Sequence, residues 1–178
     1  MRYRVNQSER LSVVYSDAES HGSIAAVFVF EDTVQYMHGV IPGRLRRLLR
    51  VRKTNIVAYE FNAAAMAAVM ADMVFPRSIG FRHFVDSKPA LCCIFKGSSL
   101  QEDLNSLAGL VWYMAGSRMC AYWGQSVRSS CNLDDKLSRG DYQHMIRLGA
   151  TSLTCDLFVI SGEAEEWLQS PRGTLLVQ

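Results

Sequence analysis

Four acidic side chains stand where carboxylates could gather around a cation. Asp17 closes the β-branched and aromatic run Leu11 to Asp17, and Asp86 follows a second such run, Phe81 to Val85. Glu60 lies in the first turns of a long alanine-rich stretch, and Asp135 in the first turn of a short one that Asn132 could cap. Carboxylates a few ångströms apart raise one another's pKa, and a divalent cation relieves the repulsion. Hard oxygen ligands suit Mg²⁺. Two such ions about 3.5–4 Å apart activate a water and stabilise the leaving oxygen of a phosphodiester. Each acid also has a plain structural reading. An Asp at a strand end is a turn former or a helix cap, and Asp134 or Asp135 could simply favour the positive end of its helix. Only the joint placement points to chemistry, so the elements that carry the acids decide the matter.

Those elements read as follows. Leu11–Asp17, Ser23–Phe30 and Thr33–Ile41 are three strands joined by a turn at Ala18–Gly22 and a tight link at Glu31–Asp32. Short links force them to pair antiparallel. Pro42-Gly43 ends this meander, and Leu45, Leu48 and Leu49 then recur at helical spacing. A long helix is expected from Asn55 to Met73, capped by Thr54 or Asn55, with Met66, Met70 and Met73 in the core. Phe81–Val85 is a fourth strand. Ser87-Lys88-Pro89 opens a short helix that Gly97 stops. Ser99 to Glu102 has the form of a capping box for a helix ending at Gly116, with its apolar stripe at Leu104, Leu107, Ala108, Val111 and Ala115. Cys120–Val127 is a fifth strand, and a last short helix spans 133 to 139, terminated by Gly140. The order β-β-β-α-β-α-α-β-α predicts an α/β fold: a mixed five-stranded sheet, strand order 3-2-1-4-5, with helices on both faces. In that order strands one and four are neighbours, so Asp17 and Asp86 stand side by side, within reach of Glu60 from its helix and of Asp135 from beyond strand five.

With these positions in view, the segments Tyr15-Ser16-Asp17-Ala18, Lys53 to Ala63 (KTNIVAYEFNA), Phe84-Val85-Asp86-Ser87, Lys96-Gly97-Ser98-Ser99 and Val127 to Gly140 (VRSSCNLDDKLSRG) acquire a common meaning. In order and spacing, roughly from residue 11 to 141, the chain resembles the ribonuclease H domain that follows the polymerase in retrotransposon reverse transcriptases, in the version found in protist and algal retroelements. The resemblance implies a ribonuclease H-like fold and a metal-dependent endonuclease that hydrolyses the RNA strand of an RNA–DNA hybrid, leaving 3′-hydroxyl and 5′-phosphate ends. It implies that Asp17, Glu60, Asp86 and Asp135 bind two Mg²⁺ ions, with Mn²⁺ as a substitute, and that a polymerase domain could belong to a longer parent protein. Ser138 and Arg139 match the end of the family's tail motif and read as a helix end meeting phosphate. The chain departs from the family at Glu19, where serine is usual, at Asn62, where an apolar residue is usual, and at Asp134, where alanine is usual. No histidine lies between strand five and Asp135, no basic handle occupies Gly97–Gln101, and no polymerase motif occurs. Two alternatives stay open: a catalytically silent binding or connecting module of the same fold, and an integrase- or transposase-type DNA nuclease, against which the tail D-D-K-L-S-R-G weighs.

The run 44 to 53 carries six cations in ten residues of an otherwise nearly neutral chain of net charge +2. A charge run is usually a solvated face. Placed just before the helix of Glu60, this one reads better as a contact for a phosphate backbone. Arg46, Arg47 and Arg50, with Lys96, Arg128 and Arg139, are the candidate nucleic-acid contacts. Trp112, Tyr113, Tyr122 and Trp123 could stack on bases but are more often packing residues. His21 follows the Asp17 turn, and one histidine there is weak evidence. No phosphate-binding glycine loop, dinucleotide fingerprint or serine-nucleophile elbow is present.

The rest of the composition bounds the setting. At 178 residues, 49% hydrophobic and 20% charged, the chain has room for one domain with a proper core. Residues 1–10 read as an N-terminal extension, 11–141 as the ribonuclease H-like domain, and 142–178 as an annex of unknown role, in which Leu153–Ile160 could be a strand and Ser161 could cap a helix ending near Gln169. No apolar stretch approaches the ~18–20 residues that cross a bilayer, so no membrane partner is expected. Five cysteines without a CxxC pair argue against zinc or a disulfide framework. They fit an intracellular, reducing compartment, cytoplasm or nucleus.

Overall fold

The three N-terminal strands form where their apolar and β-branched runs predict them, as β1 (Ser12–Ala18), β2 (Ser23–Phe30) and β3 (Thr33–Val40), in an antiparallel meander. In the computed structural model, residues 12–50, 52–75, 80–117 and 121–153 are described, with the isolated positions 166 and 169. Gly22 lets β1 turn tightly into β2: its φ of 83° lies in the left-handed region, and its N–H donates to the Glu19 carbonyl at 2.9 Å. A short helix, α1 (Gly43–Leu48), follows, anchored by buried Leu45, half-buried Leu48 and, just beyond it, buried Leu49.

The chain continues with α2 (Ile56–Val74), β4 (Gly80–Val85), α3 (Lys88–Lys96), α4 (Glu102–Ser117) and β5 (Ala121–Ser126). A 3₁₀ turn (Ser129–Cys131), α5 (Asp135–Ser138), α6 (Gln143–Arg147) and β6 (Thr151–Ser152) complete it. The sheet runs β5-β4-β1-β2-β3-β6. Strands β4 and β5 add in parallel beside β1, and β6 lies parallel to β3. The expected order 3-2-1-4-5 is thus present, but the sheet has six strands rather than five. The two residues of β6 carry no periodicity that a sequence could show. The expected strand from Leu153 to Ile160 lies, beyond Leu153, outside the described residues. Leu11, Pro76 and Cys120 lie outside them too.

Strand β2 shows how the two faces divide. Ile24, Ala26 and Phe28 join the larger core under α2, α3 and α4. Ala25 and Val27 meet Leu137 of α5 and Met145 of α6 on the other face. Helices therefore cover both faces, as expected. Helix α2 is apolar all round because it is sandwiched between the sheet and α4. Its alanines 58, 63, 64, 65, 67, 68 and 71 are all buried and let both neighbours approach closely. Met66 and Met70 are core residues, whereas Met73, near the end of α2, is 65% exposed.

Several caps differ from expectation. Asn55 precedes α2 without a side-chain cap bond. Ser99 accepts from the Gln101 N–H at 3.2 Å, and its own N–H donates to Asn105 Oδ1 at 3.0 Å. The reciprocal partner is therefore Asn105 and not Glu102, which is drawn to Arg50 instead. Asn132 does not cap the last helix of the expected domain. Asp134 takes the N-cap position, and the Asn132 amide donates to the Ser16 carbonyl at 3.4 Å. By contrast Ser87 caps α3 through the Ala90 N–H, and Gly97 ends it at φ 63°.

Candidate metal centre

Register builds the site. In the parallel pairing of β1 with β4, Ser16 lies opposite Val85. The next residues, Asp17 and Asp86, therefore emerge together where both strands end. Glu60, in the first turns of α2, projects to the same point and accepts from the Ala18 N–H. One carboxylate oxygen from each of Asp17, Glu60 and Asp86 lies within 4.8 Å of the others. Asp17 and Glu60 are buried and Asp86 is half-buried.

Each carboxylate has a partial set of donors. The Ser138 hydroxyl of α5 donates to Asp17 Oδ2, and the Ser129 hydroxyl donates to Asp86 Oδ2 at 2.8 Å. Glu60 Oε2 and Asp86 Oδ1 are cut off from solvent and have no hydrogen-bond partner among the described residues. Burial, with the charges of Asp86 and Asp135 beside it, pushes the Asp17 carboxyl up to about 6 against the pull of Ser138. Burial and then the charges of Asp17 and Asp86 push Glu60 up to about 9. Converging hard oxygens that lack donors are what a divalent cation satisfies. The triad fits such an ion.

The two consecutive acids of α5 differ sharply. Asp135 is half-buried, and its Oδ1 accepts from Arg139 at 2.9 Å. Its charge reaches Asp17 and Glu60, but it stands outside the 4.8 Å grouping. Asp134 is fully buried. Its carboxyl is raised well above the usual range, first by burial and then by the charges of Asp17, Glu60 and Asp86, against its own backbone N–H. Sequence reasoning passed over Asp134 as a stand-in for alanine, and the only signal for it was its adjacency to Asp135. Ser138 was expected to meet phosphate. It is buried, with its hydroxyl on Asp17 and its carbonyl accepting from Ser23 at 2.6 Å, so it orients the acid instead. The Ser23 hydroxyl spends its proton on that carbonyl, so His38 Nε2, 2.9 Å away, is the donor to Ser23, and His38 Nδ1 accepts from Tyr142 at 2.8 Å.

The candidate cations are dispersed. Arg128 precedes the turn that carries Ser129, and Arg139 is paired with Asp135; both are exposed beside the acids. Arg46 lies against the β1–β2 turn and donates to the His21 carbonyl at 3.2 Å. Arg47 is exposed on α1. Arg50 is engaged with Glu102. Lys96 sits at the far end of α3 from Asp86, about 12 Å of helix rise away. Trp112, Tyr113 and Trp123 are more exposed than packing residues usually are, at 41%, 46% and 49%. Of these, the Trp112 indole donates to the Ile94 carbonyl at 2.6 Å. Among the described residues no helix is long and apolar enough to cross a membrane. No protein-family model and no curated protein matches the chain in sequence.

Proposed function

We propose that the chain is a ribonuclease H-type phosphodiester hydrolase that cuts the RNA strand of RNA–DNA hybrids with Mg²⁺ as its cofactor. The observation that carries this reading is the meeting of Asp17 and Asp86, at the ends of two parallel neighbouring strands, with Glu60 of α2, where Glu60 Oε2 and Asp86 Oδ1 lack donors among the described residues. The strand order β3-β2-β1-β4-β5 within the sheet is compatible with a ribonuclease H-like fold.

Asp17, Glu60 and Asp86 would hold the ion, with Asp135 at the rim. Bound there, the ion supplies activation of water and stabilisation of the leaving oxygen. The protein's own contribution is orientation. Ser138 fixes Asp17, Ser129 fixes Asp86, and the Ala18 N–H fixes Glu60. Arg128, next to Ser129, and Arg139, paired with Asp135, would be the guanidiniums that meet an approaching phosphate. Discrimination of RNA from DNA would rest on the 2′-hydroxyl and on groove shape.

The test is incubation of the purified chain with a labelled hybrid, with Mg²⁺ and with chelator. Cleavage of the RNA strand alone, lost with chelator, is expected. Efficient nicking of plain duplex DNA would move the reading to the integrase or transposase class. Hybrid binding without Mg²⁺ binding or cleavage would make the chain a silent binding module.

A further inference from the structure

Asp134 is the one carboxylate of this region that the proposed reaction leaves unused. Among the described residues neither of its oxygens has a hydrogen-bond partner, its own backbone N–H apart, and both are cut off from solvent. A buried carboxylate in that condition is costly unless something outside the protein satisfies it. Its neighbours make matters worse: Asp17, Glu60 and Asp86 all act on it as like charges, and Tyr15 lies close by. Asp135 next to it is no precedent, being part-exposed and engaged with Arg139. Asp134 also does not stand alone: its carbonyl accepts from the N–H of Ser138, whose hydroxyl holds Asp17, so it starts the helical turn that reaches the triad. Asp134 nonetheless falls outside the 4.8 Å grouping of the triad, so direct ligation is not the natural fit. Mg²⁺ gives up its water reluctantly and usually keeps several molecules, whose O–H groups need acceptors.

We propose that Asp134 is a further carboxylate of the metal centre, accepting hydrogen bonds from the hydration shell of the bound ion and so selecting a small, strongly hydrated divalent cation. This rests on the metal-centre reading given under Proposed function and adds to it a residue at a position where the resembled family carries alanine. Asp134 is then a positioning residue: it holds the ion's water and does not ligate the ion.

The experiment is calorimetric titration of the chelator-stripped full chain with Mg²⁺ and, separately, with Ca²⁺. It compares wild type with Asp134→Asn, Asp134→Ala and, as control, Asp17→Asn. Both Asp134 variants should bind Mg²⁺ at least about tenfold more weakly. Ca²⁺, which takes more direct ligands and tolerates looser geometry, should lose clearly less. A general structural defect would weaken both ions alike, and that outcome overturns the proposal. So does wild-type Mg²⁺ affinity in either variant. Should one variant fail to fold, the other decides. A wild-type chain that prefers Ca²⁺ to Mg²⁺ overturns the proposal without any variant. If Asp17→Asn loses Mg²⁺ while the Asp134 variants keep it, only this inference falls. If Asp17→Asn also binds like wild type, or wild type binds neither ion, the metal-centre reading falls with it.

Discussion

Two regions of this molecule bury carboxylates, and they treat them in opposite ways. Where the chain leaves α1 and passes the start of α4, Asp103 is 7% exposed. The Arg52 guanidinium donates to both of its oxygens, the Oδ2 contact at 2.7 Å, and the Arg50 N–H donates to Oδ2 at 2.9 Å. Burial pushes the Asp103 carboxyl up, but these donors outweigh it and hold it below its usual value. Glu102 takes Arg50, and Gln101 takes Arg52. At the ends of β1 and β4 the same chain buries Asp17, Glu60 and Asp134, and no arginine or lysine is paired with any of them among the described residues. The first region shows that this fold readily supplies cations to buried acids where the acids hold the structure together. The second withholds them, and Asp17 and Glu60 are accordingly pushed up where Asp103 is held down.

The sharpest way to break this contrast is to remove one acid from the unpaired region. Asp17→Asn keeps the shape and deletes a charge. Hybrid cleavage should be abolished, while the metal-free protein should melt a few degrees higher because repulsion is relieved. Undiminished cleavage would falsify the site. The matching change in the paired region should have the opposite sign. Arg52→Gln leaves Asp103 buried without its main partner and should cost about 3 kcal/mol of stability, read by denaturant unfolding. If Arg52→Gln is neutral, the two regions do not differ as their hydrogen bonds indicate.

A pH series sharpens the same comparison with a smaller effect. Asp17 and Glu60 ionise less readily folded than unfolded, so the folded state holds extra protons between the unfolded and folded values. Stability therefore falls as pH rises across that window, from about 4 to about 6 for Asp17 and from about 4.5 to about 9 for Glu60. Asp103, held low, works the other way and loses its contribution only in strong acid. Melting temperature measured in chelator should drop by several degrees between pH 5 and pH 9. Saturating Mg²⁺ should flatten that drop, because an ion satisfies the carboxylates in their charged form. An identical profile with and without Mg²⁺ would remove the link between these acids and a cation.

Much of this arrangement was legible in the sequence, and the reason differs from element to element. Strand β2 matches its expected bounds because a near-continuous apolar run ends in turn residues on both sides. Asp17 and Asp86 could be paired because strand order follows from short antiparallel links and long crossovers, and order alone makes neighbours of β1 and β4. The contrast between Asp134 and Asp135 was not legible. Adjacent residues at a helix start point in different directions, and one residue of shift in the start of α5 exchanges the buried acid for the half-buried one. Arg50 and Arg52 were read as part of a basic stripe because a one-dimensional charge run hides its partners. Glu102 and Asp103 stand about fifty residues away, beyond α2, β4 and α3, and only the fold brings them together.

The pairing of Arg50 and Arg52 with the start of α4 changes what the basic run should do to hybrid binding. If residues 44 to 53 lie on the nucleic-acid path, each cation that touches a phosphate releases counterions, and losing it should shallow the log–log salt dependence of binding by roughly 0.7–0.9. Arg50 already spends its charge on Glu102, so it should contribute less than its position in the run suggests. Arg46 reaches from α1 to the turn that follows Asp17, and Arg47 is exposed. Replacing Arg46 and Arg47 with glutamine should therefore flatten the slope by about one to two contacts' worth, while Arg50→Gln alone should barely change it. Mg²⁺ affinity should stay near wild type in all three, since none is a ligand. Binding of a catalytically blocked Asp17→Asn chain to labelled hybrid, measured across a salt series, reads the slope without cleavage. A larger change from Arg50 than from Arg46 and Arg47 together would mean that Glu102 yields Arg50 to the hybrid. No change from any of them would leave Arg128 and Arg139, beside the acids, as the gripping residues.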